Sequence, residues 1–313
     1  MIDPAVGASL REALGTDRVR EHAPLAPMTT FRVGGTADVL ADVRSVDELR
    51  RVLSVAGQAG VTVTLLGGGS NVLVSDAGVR GIVVRLRLMD LSQSSPTVVR
   101  AGAGVTMNGL VRWTIGRGLS ALEAWAGTPG TVGGAICGNA HYGGRNIGDL
   151  VTRVSLMAPS GVVMELGADD MSFAYDTSRL QRTREVLLWA EFGVGSGVPD
   201  ALRAVARASL AHRKRTQPLD VPSAGCVFQN PDPARDVVPH GIPPSAGALV
   251  DRAGLKGHRV GGAMISTAHA NFIVNDGRAS AADVHALIET ARAEVRARFG
   301  VELRNEVVTI GEF

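Results

Sequence analysis

The sequence predicts an α+β chain built from more than one domain. Strand and helix patterns alternate along it irregularly, without the steady strand–helix–strand order of a doubly wound sheet. A length of 313 residues suggests two domains, or one with an insertion. The composition also shifts at "ARASLAHRKRTQPLDVPSAG". There a helix with a basic end runs into Pro218 and Pro222, which marks a boundary near residue 213.

The elements can be justified in order. "SVDELRRVLSVAGQAG" reads as a helix: Ser45 and Glu48 form a capping box, Leu49, Val52, Leu53 and Ala56 make an apolar face, and Gly60 ends it. "VTVTLLGGGSNVLVSDAGVRGIVVRL" gives a strand, a glycine loop and two further strands, and "TVVRAGAGV" another strand. "TMNGLVRWTIGRG" predicts a helix from Thr106 to a stop at Gly118. "VTRVSLMAPSGVVMEL" predicts a hairpin turning at Ser160-Gly161, followed by the strand "EVLLWAEFGV". Beyond the boundary come a helix ("AGALVDRAGL"), a strand ("ANFIVND"), and the amphipathic helix "SAADVHALIETARAEVRARFG". That helix is capped by Ser280 and Asp283 and stopped by Gly300; "VELRNEVVTIG" is a final strand.

Bulk properties exclude several functions. A hydrophobic content of 45% is ordinary for a globular chain. A formal net charge of +2 gives no strong field for nucleic acid or an acidic membrane, and 4% aromatics are too few for a base-stacking platform. The two cysteines, Cys137 and Cys226, do not form a C-x-x-C pair, so neither a zinc site nor a disulfide framework is expected. "MIDPAVGASLREALG" lacks the features of a signal peptide, and no apolar run reaches the roughly 18 residues of a membrane span. The expectation is a cytoplasmic protein, a monomer or weak homo-oligomer, acting on a small molecule.

Two glycine-rich stretches stand out. "GTPGTVGGAICGNAHYGG" holds seven glycines from Gly127 to Gly144, and Gly67-Gly68-Gly69-Ser70-Asn71 follows the strand "VTVTLL". Neither is a P-loop, because no Gly-Lys-Ser/Thr follows. Gly102-Ala103-Gly104 is no dinucleotide fingerprint either, since Met107 stands where Gly or Ala is needed. Consecutive amides in glycine turns form anion-binding concavities without side-chain charge. Two such turns, with Ser70, Asn71, Thr128 and Asn139 beside them, suit the pyrophosphate of a dinucleotide such as FAD.

Seven blocks then occur in one order: "TTFRVGG", "LGGGSNVLV", "GLSALEAWAGTPGTVGGAICGNA", "SAGCVFQNP", "AGLKGHRVGGAMIS", "HANFIVN" and a terminal "NEV". Over nearly its whole length the chain resembles the UDP-N-acetylenolpyruvoylglucosamine reductase (MurB) family, in its short form. The resemblance implies a two-subdomain FAD-binding fold of the vanillyl-alcohol oxidase type over residues 1–80 and 81–212. It further implies a substrate domain over 213–300 and a C-terminal strand, 301–313, returning to the active site. It implies that NADPH reduces FAD, that flavin N5 gives hydride to the vinyl carbon of UDP-N-acetylglucosamine enolpyruvate, and that protonation of the resulting enolate-like species yields UDP-N-acetylmuramate for peptidoglycan. It assigns cofactor contacts to Gly67, Gly68, Gly69, Ser70, Asn71, Thr128, Pro129, Gly130, Thr131, Gly133, Gly134, Asn139 and Ile273.

The chain departs from the family pattern at chemically important positions. Cys226 stands where the family's proton-donating serine is expected; an ordinary thiol titrates near about 8.5 and is mostly protonated at neutral pH, so it can donate. Glu306 in "RNEV" matches the catalytic glutamate. In "FAYDTSRLQ", Tyr175 and Ser178 match a Tyr-Arg-x-Ser pattern, but Asp176 replaces the arginine that stabilises developing negative charge. Arg179 would share a helical face with Asp176 and is the expected substitute. Ser178, Gln217 and Asn230 are expected at the substrate, with Gln217 and Gln229 replacing basic residues and Arg213, Lys214 and Arg215 close by. His141, in "NAHYGG", is read as a loop histidine or, less simply, a point of covalent flavin attachment. Asp176 and the lost basic residues leave open a relative acting on another sugar nucleotide or small molecule. A flavoprotein-like binding protein without turnover would fail to retain FAD.

Overall fold

The structure, a computed structural model, describes residues 2–313. The chain forms two compact units. One comprises Met1–His22, Asp38–Gly68 and Arg80–His212, the other Ala23–Ala37, Gly69–Val79 and Arg213–Phe313. One limit between the units falls between His212 and Arg213. However, residues 23–37 and 69–79, expected to lie wholly within an N-terminal stretch of 80 residues, belong with the C-terminal third.

The first unit has two cores. One packs the helices Pro4–Leu14 and Val46–Ala59 against a four-stranded sheet ordered Val19–Pro24, Thr36–Val43, Val79–Leu86, Val63–Leu65. Leu10, Leu49, Val52, Val39 and Ile82 are buried there. Ser45 caps the second helix by accepting from Glu48 N, as expected, but the Glu48 carboxylate accepts from Arg44 N rather than closing the box on Ser45. The other core lies on a five-stranded antiparallel sheet ordered Val163–Gly167, Val151–Met157, Val186–Gly193, Val98–Gly102, Leu91–Ser95. Its first two strands are the expected hairpin; Gly161 supplies the left-handed residue of the turn at φ +84°. The helix Met107–Gly116 starts at Thr106, whose side chain accepts from Gly109 N, and buries Leu110 and Val111 in this core with Trp125 and Phe192.

The second unit is built around a three-stranded antiparallel sheet, Arg259–Val260, Ala263–Ile265 and Ile273–Asn275, with the helices Ala246–Arg252 and Ala281–Phe299. Phe31 and Val33 are buried in its core beside Leu249, Ile265, Leu287 and Val295, which explains why residues 23–37 belong here. Residues 69–79 are tied in twice. Val72–Val74 pairs in parallel with Val308–Ile310 in the register Val72–Val308. The Asp76 carboxylate accepts from the N–H groups of Ala281 and Ala282, at the start of the long helix. That helix also carries the expected Ser280–Asp283 capping box. The expected C-terminal strand is only Val308–Ile310, with a single bridge between Asn305 and Phe228 before it.

Candidate active site

In the first unit the two glycine stretches meet. A β-carbon on Gly68 would lie 2.5 Å from the Gly130 Cα, and one on Gly67 would lie 2.9 Å from Thr131 Oγ1. Only glycine permits this approach, so the second stretch is held against the first by backbone shape. Gly67, Gly68 and Gly134 are exposed. Among the described residues, no acceptor takes the consecutive amides of Gly67 and Gly68, nor those of Gly69, Ser70 and Asn71 as the loop continues into the second unit. Unmatched adjacent N–H groups on an exposed glycine loop are the donor set that an anion such as a diphosphate needs. The first amides of the short helix Val132–Cys137 are different. Val132 N donates to Val105 O, Gly133 N to Ala103 O and Gly134 N to Thr131 Oγ1, so that helix start is already satisfied internally.

Asn139, expected at the cofactor, is buried, with φ at +44°. Its Nδ2 donates to Ala174 O at 2.8 Å and its Oδ1 accepts from Gly148 N at 2.9 Å. The side chain is a strut between the glycine stretch and the segment that follows residue 173; a ligand contact would require breaking those bonds. Ser178 is likewise fully buried, and its hydroxyl donates to Cys137 O at 2.8 Å.

Residues 174–177 form a tight turn, not the helical one assumed in pairing Asp176 with Arg179. Ala174 N donates to Thr177 O and Thr177 N to Ala174 O, and Asp176 has φ +54°, a conformation short polar residues tolerate. Arg179 is therefore not the free guanidinium expected. Its Nε and Nη2 fork onto Glu185 at 2.7 and 2.9 Å, and Thr183 Oγ1 donates to the same carboxylate. The Arg179 guanidinium, followed by the Thr183 hydroxyl, holds the Glu185 carboxyl below its ordinary value despite an opposing effect of burial. Asp176 instead meets His141: Nδ1 lies 3.0 Å from the carboxylate Oδ1, and the Tyr175 ring stacks obliquely on the imidazole with centroids 5.0 Å apart.

In the second unit the backbone brings Cys226 and Glu306 together. Val227 O accepts from Glu306 N at 2.8 Å, Phe228 bridges Asn305, and Gln229 N donates to Arg304 O. Asn71 joins this pair: its Nδ2 donates to Glu306 O at 3.1 Å and its carbonyl accepts from Val308 N. Asn271, which sequence reasoning did not single out, organises the same place. Its amide group donates to Phe228 O and accepts from Phe228 N, while its carbonyl accepts from Val227 N. His269 accepts from Asn271 N through Nδ1; burial, and then the charge of Lys256, push its pKa down. The only sequence signal for these two was their place in the block "HANFIVN".

The remaining expected residues divide. Asn230 is exposed, and its Oδ1 accepts from Ala246 N at the start of a helix. Gln217 follows the helix Pro199–Thr216 and is half-buried. Ile273, expected to touch the cofactor, is buried in the core of the second unit, where it pairs with Ile265 and its side chain serves packing. In the first unit the Cys137 thiol is pushed up by burial alone.

Fold and glycine loops thus describe an FAD-binding α+β protein, and comparison with known proteins agrees. The family model "FAD binding domain" matches residues 37–167, and "UDP-N-acetylenolpyruvoylglucosamine reductase, C-terminal domain" matches residues 217–310. The UDP-N-acetylenolpyruvoylglucosamine reductases of Synechococcus sp. (strain RCC307) and of Anaeromyxobacter sp. (strain K) are 39% and 42% identical to the chain. The first match covers 94% of the chain and 95% of the relative, the second 95% and 88%. The crystal structure of UDP-N-acetylenolpyruvylglucosamine reductase (MurB) from Thermus caldophilus superimposes with a TM-score of 0.79 at 32% identity, covering 94% of this chain and 99% of that one. The chain belongs to the UDP-N-acetylenolpyruvoylglucosamine reductase family. The expected α+β class with an FAD-binding domain stands.

Proposed function

We propose that this protein is an FAD-dependent reductase that uses NADPH to convert UDP-N-acetylglucosamine enolpyruvate to UDP-N-acetylmuramate in peptidoglycan synthesis. Family membership over nearly the whole chain supports the reaction. The observation that carries the site is the register placing Cys226 beside Glu306, with Asn71 of the glycine loop bonded to the same strand.

When bound, FAD supplies the hydride transfer from NADPH to the terminal carbon of the enolpyruvyl group. The residues present fit it: Gly67 and Gly68, set against Gly130 and Thr131, offer free amides and the close approach a diphosphate requires. Thr128, Pro129, Gly133 and Gly134 extend that cradle within the first unit, and Gly69, Ser70 and Asn71 are assigned to the cofactor as well. The two cores of the first unit correspond to the two FAD-binding subdomains, and residues 213–300 to the substrate domain. Cys226 holds the proton that is added to the carbon beside the carboxylate, so that hydride and proton together saturate the double bond. Glu306 orients that step. Asn230 and Gln217 are assigned to the UDP moiety, and Tyr175 is assigned a role in the reaction.

The test is direct. The purified protein should be yellow and should oxidise NADPH only when the enolpyruvyl substrate is added. Asp176, together with Gln217 and Gln229 in place of basic residues, favours a relative acting on another sugar nucleotide or small molecule. A flavoprotein reduced by NADPH but indifferent to this substrate would support that second reading.

A further inference from the structure

The two residues that follow Cys226 are held by one distant side chain. Val227 and Phe228 are buried, and all four of their backbone polar groups have partners. Val227 O accepts from the N–H groups of Glu306 and Val307, at 2.8 and 3.3 Å. The other three groups all go to Asn271. Val227 N donates to Asn271 O at 2.8 Å, Phe228 N donates to Asn271 Oδ1 at 2.9 Å, and Asn271 Nδ2 donates to Phe228 O at 2.8 Å. A side-chain amide carries the donor and acceptor of a peptide group, so Asn271 stands in for a further ladder residue.

Asn271 is itself fixed. It is 4% exposed, and its N–H donates to His269 Nδ1 at 3.2 Å. The loop that carries it is closed by Ser266 N donating to Phe272 O at 2.8 Å and by Phe272 N donating to His269 O at 3.0 Å. On the other side of Cys226 the chain has more freedom. Gly225 has φ +80°, and a β-carbon there would meet nothing within 4 Å. Cys226 thus lies between a permissive glycine and a pair of residues locked by Asn271.

We propose that Asn271 is the positioning residue of the proton-transfer step, fixing the Cys226 thiol through Val227 and Phe228. This rests on the reductase reading above, and every residue it uses belongs to the second unit. Cys226 gives the proton on Sγ to the carbon beside the carboxylate, and solvent reprotonates the thiolate at the end of turnover. Such a transfer needs the donor within hydrogen-bond reach of its target, and a misplacement of about 1 Å can cost about 10²-fold. The Val227 N–H belongs to the peptide that joins Cys226 to Val227, so a change in its bond to Asn271 O passes directly to the thiol. Asparagine is the residue that supplies both donor and acceptor at this reach; aspartate keeps only the acceptor.

The experiment uses the FAD-loaded protein and follows product formation from NADPH and UDP-N-acetylglucosamine enolpyruvate, in H2O and in D2O. Asn271→Asp keeps the side-chain volume but sets an oxygen against Phe228 O in place of the donor. It should lower kcat by about 10²-fold, with the substrate KM within about threefold and flavin reduction by NADPH unchanged. The solvent isotope effect on kcat should rise, because proton delivery becomes rate-limiting. In a Cys226→Ala background the same change should slow kcat no further, since Asn271 acts through the thiol. Asn275→Asp is the control for stability alone. Asn275 is similarly buried, and its amide bonds to Phe31 O, Gly277 N and Ala279 N. That variant should lower the melting temperature and leave the isotope effect at the wild-type value. If Asn271→Asp does not fold, Asn271→Gln carries the same test, because its amide is one methylene longer and displaces the same peptide. The proposal is overturned if kcat and the isotope effect of the Asn271 variant stay within about twofold of the wild type, if Asn275→Asp reproduces both changes, or if the effects of Asn271→Asp and Cys226→Ala multiply. A wild type reduced by NADPH but idle with the substrate would overturn the reductase reading, and a fully active Cys226→Ala would overturn the donor assignment; this role of Asn271 falls with either.

Discussion

At the scale of single residues, the backbone around a side chain decides what chemistry it can reach. Cys226 sits one residue before the carbonyl that binds Glu306 N, so the thiol is placed by backbone register, not by its own size. Cys226→Ser should therefore keep turnover within about tenfold, while Cys226→Ala should lose about 10²–10⁴-fold, the contribution of a positioned general acid. Steady-state turnover with the enolpyruvyl substrate measures both, and an alanine variant at full speed would remove the donor role. Arg179 leads to the opposite expectation. Its guanidinium lowers the Glu185 pKa in the folded state, so the pair stabilises the fold above the ordinary carboxylate value of about 4.3. That contribution is lost as pH falls through the lower folded value. Melting temperatures of the wild type and Arg179→Ala should thus differ at neutral pH and converge in acid, with flavin reoxidation of the variant close to normal. Arg179 was misjudged because spacing alone suggested a helix, whereas residues 174–177 close a tight turn at Asp176.

At the scale of elements, local patterns were legible wherever local bonds decide the structure. The hairpin turning at Gly161, the helix begun by Ser280 and ended by Gly300, and the Thr106 cap all follow from contacts within a few residues. Elements that depend on distant partners were not. The predicted strand over 301–311 shrinks to Val308–Ile310, because the residues before it bond to Val227, Gln229 and Asn71 instead of a long ladder neighbour. Asp76 makes the same point at a helix start, since it caps Ala281 and Ala282 from 205 residues away. Its two charge-assisted bonds to helix amides should make Asp76→Ala about 1–3 kcal/mol less stable, measured by urea denaturation. An unchanged midpoint would mean that Ser280 and Asp283 hold the helix start alone.

At the scale of the whole molecule, the glycine cradle links cofactor to stability. A ligand that binds only the folded chain stabilises it by mass action, by about 2.7 kcal/mol at a free concentration 100 times its Kd. Removing FAD should lower the melting temperature and adding it back should restore it. Gly68→Ala, whose new β-carbon would meet Gly130 Cα at 2.5 Å, should bind FAD weakly and lose that restoration. The sequence by itself determined the α+β class and the two glycine loops, because these are written in local spacing and in the ordered blocks of a family. Tertiary structure alone decided that residues 23–37 and 69–79 join the C-terminal unit, that Glu185 claims Arg179, and that Asp176 faces His141. Each of those depends on which buried charge or apolar side chain finds its partner across the fold, and chain order carries no record of that choice.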